Sequence, residues 1–152
     1  MTLRLLLAAF HLLALGIGLG AVWSRGRALS GTLDPLTLRR VFTADSWWGI
    51  AALVWIATGL WRLLGSVEKP AGYYFHNSFF LIKMVCFGSI FLLELAPMIT
   101  LVRWRVQLAK GRAIDTRRAR VFGVISLIQT GLLFVMVGLA TAMARGYGAR
   151  LP

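Results

Sequence analysis

Apolar residues gather along the chain in four long runs separated by short basic stretches. The first run extends from about Leu5 to Trp23 and is broken only by His11. The second covers about Trp47 to Leu64. The third covers about Phe79 to Val102 and contains Lys83, Glu94 and Pro97, and the fourth about Val121 to Ala144, with Gln129 and Thr130 as its main polar content. A hydrocarbon core of about 30 Å takes roughly 20 apolar helical residues, because a helix satisfies its own backbone polar groups in lipid. The pattern therefore predicts an all-α, polytopic four-helix bundle, with residues 1–152 forming a single transmembrane domain. The first run, behind Arg4, exceeds the usual signal-peptide core of about 7–15 residues, and no small-x-small cleavage site follows it, so it reads as a retained span.

The segment between the first two runs has a helix start of its own. Asp34 is a capping residue and Pro35 suits the first helical position. Leu36, Leu38, Val41 and Phe42 against Arg39 and Arg40 predict a short helix lying in the membrane interface. Gly16 and Gly20 form a small-xxx-small pair suited to close helix packing. The run from Arg112 to Arg120 reads as a solvated loop.

Composition agrees with the pattern: 59% of the residues are apolar and only 14% are charged. A net charge of +12, from 17 Lys and Arg against 5 Asp and Glu, would suggest nucleic acid in a soluble protein. Here the basic residues sort by side. Arg25, Arg27, Arg39, Arg40, Arg103, Arg105, Lys110, Arg112, Arg117, Arg118 and Arg120 fall on one side of the spans, and Arg4, Arg62, Lys69, Arg145 and Arg150 on the other. The positive-inside rule then places both basic loops in the cytoplasm and both termini in the periplasm, in a bacterial inner membrane. Trp23, Trp47, Trp48, Trp61 and Trp104 lie at span ends, as interfacial aromatic belts do. The charge is thus topology signal and attraction to anionic lipid, with no nucleic-acid partner.

Ionisable residues inside spans are costly and each needs a reason. At about 1.5 Å per residue, His11 lies about 10 Å and Lys83 about 8 Å below the periplasmic surface, on parallel spans, with Met136 at a similar level. Glu94 lies about 13 Å from the cytoplasmic end, level with Gln129 and Trp55. A hydrogen bond from either would hold it, with the carboxyl protonated because burial disfavours the charged form. His11 is either a neutral histidine bonded to a neighbouring helix or a ligand, and Lys83 either snorkels to the headgroups or faces a partner. His76 stands at the wet interface. The only cysteine is Cys86, and with two histidines a multi-ligand metal site has no donors. One cofactor suits what remains: haem b, with His11 as the iron's axial ligand, the alternative being a porphyrin or quinone held by His11 and Lys83. Lys83 would then be the propionate or proton partner, alongside Arg62 or Arg145, and Met136, Lys83 or neither would be the second ligand.

The runs LRLLLAAFHLLALGIGLGAVW, ADSWWGIAALVWIATGLWR, FFLIKM, LLELAPMITLVRWR and AMARGYG resemble a family of uncharacterised bacterial four-span membrane proteins over nearly the whole chain. At His11 and Lys83 the chain is also distantly similar to HemJ-type protoporphyrinogen oxidases, which carry a first-span histidine and a third-span lysine. That resemblance implies haem binding by His11, a catalytic role for Lys83 and oxidoreductase activity. Copper handling lacks the clusters of soft ligands it needs. Three readings follow: a haem- or porphyrin-binding redox protein, a non-catalytic subunit or scaffold in a homo-oligomer or larger membrane complex, and a small transporter using Glu94 and Gln129.

Overall fold

The computed structural model describes residues 2–65 and 71–148; Lys69 and Arg150 lie outside the described residues. Among the described residues four long helices form a bundle, α1 (Thr2–Leu29), α2 (Pro35–Leu64), α4 (Ser78–Ala109) and α5 (Ala119–Ala144), with a short helix, α3 (Ala71–Phe75), before α4. Each long helix is apolar enough to cross a membrane. At 26 to 32 residues they measure about 39–48 Å, so their ends pass beyond a hydrocarbon core of about 30 Å.

The packing order follows from buried stripes. On α4 the buried positions Phe80, Ile90, Pro97, Leu101 and Trp104, with half-buried Lys83, Phe87 and Glu94 between them, form one series at spacings of three and four. Small residues occupy many of the equivalent positions on the other helices: Ala14, Gly18 and Ala21 on α1, Ala44 and Ala51 on α2, Gly123 on α5. Small side chains let backbones approach closely, the main source of helix attraction in lipid. α1 packs closely on α2 and α5, and α4 on α5, while α2 and α4 meet more sparsely. Going round the bundle the order is α1, α2, α4, α5, which leaves α1 and α4 facing each other across its axis. The outward faces carry Leu12, Leu53, Val85, Leu92 and Phe134, a surface that contacts the lipid bilayer.

Three features differ from the sequence expectations. The interfacial helix is not separate: α2 runs unbroken from Pro35 to Leu64. Asp34 does cap it, its side chain accepting from the Thr37 N–H at 2.6 Å, and that hydrogen bond lowers the Asp34 carboxyl below its usual range. Nothing between Val41 and Trp47 stops the helix, and extending a nucleated helix is cheap. Val41 and Ala44 are buried in the bundle, so this segment cannot lie flat on its surface.

The second difference concerns glycine. A Cβ on Gly16 or Gly20 would meet nothing within 4 Å, whereas one on Gly18 would meet Trp48 at 3.3 Å and one on Gly26 would meet Leu127 at 3.1 Å. On α1, Gly18 and Gly26 are the packing glycines. The third difference is in the loops. Arg25, Arg103 and Arg105 belong to helices, and the connection between α4 and α5 is confined to residues 110–118, largely exposed as expected of a solvated loop.

A small tertiary device closes the opposite end. Asn77 is fully buried and caps α4, its Oδ1 accepting from the N–H groups of Phe79 and Phe80, while its Nδ2 donates to the Tyr147 carbonyl at 3.1 Å. The Ser78 N–H donates to the Gly148 carbonyl at 2.9 Å. Gly148 has φ +80°, and a Cβ there would lie 2.8 Å from Asn77 Oδ1, so conformation and space both require glycine.

Candidate functional site

The polar interior is organised around Arg25, one helical turn before the end of α1. Its side chain is 0% exposed and reaches across the bundle. Nε donates to Ser126 Oγ at 3.0 Å. Nη1 donates to Asp45 Oδ1 at 2.9 Å and to Glu94 Oε1 at 2.7 Å. Nη2 donates to Glu94 Oε2 at 2.6 Å and to Gln129 Oε1 at 3.1 Å. A guanidinium has five N–H donors, and these five bonds account for all of them. One side chain therefore ties α1 to α2, α5 and the diagonally placed α4.

The partners are bonded in turn, apart from Arg105 Nε, which is buried without a hydrogen-bond partner among the described residues. Gln129 Nε2 donates to Glu94 Oε2 at 2.9 Å and to the Ile90 carbonyl at 3.1 Å. Ser126 Oγ, accepting from Arg25, donates to the Phe122 carbonyl at 2.9 Å. The second Asp45 oxygen accepts from Arg105 Nη2 at 2.8 Å. Arg105 also holds Ser46 Oγ and the Phe42 carbonyl and lies over the Phe42 ring at 5.2 Å. Arg25 and Arg105 balance Asp45 and Glu94, so the network is neutral as a whole. The two carboxylates keep only 12% and 16% side-chain exposure.

Glu94 thus meets Gln129, as its level predicted, but not Trp55, whose Nε1 has no hydrogen-bond partner among the described residues. The neutral carboxyl expected at Glu94 is replaced by a bidentate ion pair with Arg25. The sequence reading missed it because Arg25 was placed in the basic loop. An available signal was Asp45, an acid just ahead of the second apolar run and in need of a cation.

Toward the opposite end the polar groups are sparser. His11 is half-buried on α1, with Nδ1 2.9 Å from Thr58 Oγ1. The Thr58 hydroxyl donates to the Val54 carbonyl at 2.7 Å, so its oxygen accepts from His11 Nδ1–H and the lone pair falls on Nε2. The ring stacks on Trp55, with centroids 5.5 Å apart, and Trp55 meets the Phe87 edge at 5.8 Å. Gly59 makes room: a Cβ there would lie 3.2 Å from His11 Cε1. Lys83 sits half-buried one turn before Phe87 on α4. His76 is exposed, as its place at the interface suggested, with Nδ1 2.8 Å from the Gly72 carbonyl.

Met136 is 2% exposed and packs in an apolar cluster with Ala14, Val22, Trp48, Trp55, Ile90 and Leu133. The void beside this cluster, lined by Ala14, Gly18, Trp48, Trp55 and Leu133, measures about 10 Å³. A water needs about that much, and a porphyrin does not fit between the helices there. Neither His11 nor Met136 lines that void. No group of three His, Cys, Asp or Glu side chains with metal-binding proximity occurs among the described residues.

Among known proteins, the family described as "Predicted membrane protein (DUF2214)" has a sequence model that matches residues 3–148. Neither the curated proteins nor the solved structures contain a match to the chain.

Proposed function

Since the chain belongs to this DUF2214 family of membrane proteins, whose description specifies no chemistry, we propose from the site itself that it works as a non-catalytic membrane subunit, a four-span scaffold. The observation that carries this reading is the saturation of Arg25. Its five donors are spent on protein acceptors, and the two carboxylates facing it are held by Arg25, Arg105 and Gln129. A site that handles a substrate or a proton needs a donor or acceptor that changes partner, and the Arg25 guanidinium, with all five donors engaged, offers none. In this reading the basic end is cytoplasmic in a bacterial inner membrane, in keeping with the charge split, and the chain assembles in a homo-oligomer or larger membrane complex.

A second reading, haem or porphyrin binding, is favoured by the tautomer of His11. An imidazole that donates Nδ1–H to a fixed acceptor and directs its lone pair to Nε2 is prepared in the way metal-ligating histidines are. Haem supplies one-electron chemistry when bound. With the interior closed, His11 would take it at the outer margin of the bundle, with Lys83 near its propionates.

The test is an absorption spectrum of the protein purified in mild detergent, oxidised and dithionite-reduced, followed by proton flux in liposomes. The scaffold reading expects a colourless, proton-tight protein. A Soret band lost in His11→Ala would overturn it in favour of the second reading. Proton flux lost in Glu94→Gln would overturn it in favour of a transporter.

A further inference from the structure

An open groove of about 510 Å³ runs between α1 and α2 on the lipid-facing side. Its two ends differ in chemistry. Arg39 and Arg40 line it toward the basic end, and Gly16, Gly20 and Trp47 line it deeper along the helices, with Thr43 between. The α1 stretch from Gly16 to Ser24 gives it a length of about 12 Å. The floor is bare by sequence: Gly16 and Gly20 have open space where a Cβ would stand, so no packing within the chain requires glycine there.

The charge at the mouth has no acidic partner within the groove. Neither guanidinium has an ion pair or side-chain hydrogen bond among the described contacts, and no acidic residue lines the groove. Arg40 is near enough to influence Asp34, but that carboxylate is spent on capping α2. Two cations above a narrow apolar floor match an anionic phospholipid, phosphate outward and acyl chain inward. A second copy of the chain fits less well, because docking two such faces would bring four guanidiniums together without a carboxylate.

We propose that this groove holds one anionic phospholipid of the leaflet at the basic end, its phosphate between Arg39 and Arg40 and the start of one acyl chain on the Gly16–Gly20 floor beside Trp47. The inference needs only that the helices contact a bilayer, so it stands or falls separately from the scaffold reading. Attraction of two arginines to an anionic headgroup gives a preference on the order of tenfold over a zwitterionic lipid.

Native mass spectrometry of the detergent-purified protein, incubated with equal phosphatidylglycerol and phosphatidylcholine of the same acyl chains, tests this. The expected result is a single retained phosphatidylglycerol favoured about tenfold. The Arg39→Gln/Arg40→Gln variant should bring the ratio to about one. Gly20→Leu should remove the retained lipid with both arginines present. Gly49→Leu, another position where a Cβ would meet nothing and outside the groove, should leave it bound. Equal adducts of the two lipids in the wild type, or full retention in Gly20→Leu, would overturn the proposal. A lipid-free dimer dissociated by Gly20→Leu would give the groove to a second copy and overturn it equally.

Discussion

Toward the basic end the bundle buries Arg25, shields Asp45 and Glu94 around it and completes the charge balance with a half-exposed Arg105; toward the opposite end it keeps its ionisable groups half-buried at the margin. The first half holds Arg25, Asp45, Glu94 and Arg105, with Gln129 and Ser126 filling the remaining donor and acceptor positions. The second half holds His11 and Lys83, and its centre is the apolar cluster around Trp55, Leu133 and Met136. The contrast shows how the same cost is met in two ways. Where charges are far from water they must be paired and fully hydrogen-bonded, which requires four helices to agree on one geometry. Nearer the headgroups a long side chain can lift its charge toward water and a neutral one needs few partners, as His11 does with Thr58, so the neighbouring helices pack mainly on apolar contacts.

The sharpest way to break this comparison is Arg25→Ala. It strands Glu94 with only Gln129 and removes one of the two cations on Asp45. Losing one partner of a buried pair costs about 3–5 kcal/mol. The expected outcome is a large fall in thermal stability in detergent, with much of it restored when Glu94→Gln is added, because the stranded charge is then gone. Equal loss in the single and double variants would mean that the guanidinium acts through packing and not through the ion pair. The corresponding change in the other half, Thr58→Val, removes one acceptor from a half-buried histidine and costs about 1 kcal/mol. Nitrogen chemical shifts of His11 check its mechanism: the fixed Nδ1–H tautomer should give way to a mixture. An unchanged spectrum would assign the tautomer to another contact.

The two halves also differed in how much of them could be read beforehand. The four spans were legible because length and hydropathy suffice for a helix in lipid, and the Asp34–Pro35 start was legible because capping is local. Depth alone narrowed the partner of Glu94 to Gln129 or Trp55, and the packing of the helices selected Gln129. The ion pair did not follow from depth, because Arg25 lies near the end of its span, where one helical turn more or less decides between headgroup and bundle interior. The role of the glycines was equally hidden. Gly16, Gly18 and Gly20 are indistinguishable by composition, and only the rotation of α1, which is set by its neighbours, puts Gly18 against Trp48 and leaves the other two bare. The Asn77 tie to the last turn of chain had a partial signal in Gly146 and Gly148, since glycine just past a helix favours a left-handed stop.

The smallest expected effect lies outside the bundle and calibrates the larger ones. In the loop between α4 and α5, Asp115 accepts from Arg117 Nη2 at 2.8 Å and from Arg117 Nε, and the guanidinium beside it holds its carboxyl down at about 2 instead of the usual 3.8. A depressed carboxyl contributes stability that is complete above its unfolded value and is lost as the pH falls from about 4 toward about 2. Both side chains are largely exposed, at 61% and 89%, and they stand two residues apart in one loop, so solvent screens the pair and no helix contact depends on it. Asp115→Asn at neutral pH should therefore leave the thermal midpoint unchanged within error, in low and high salt alike. Arg25 offers the same chemistry, guanidinium to carboxylate, and should show the opposite result. If Asp115→Asn instead lowered the midpoint by an amount approaching that of Arg25→Ala, the loop would have to pack against the helix ends. The division between a bundle held by buried charge and a loop indifferent to its own would then fail.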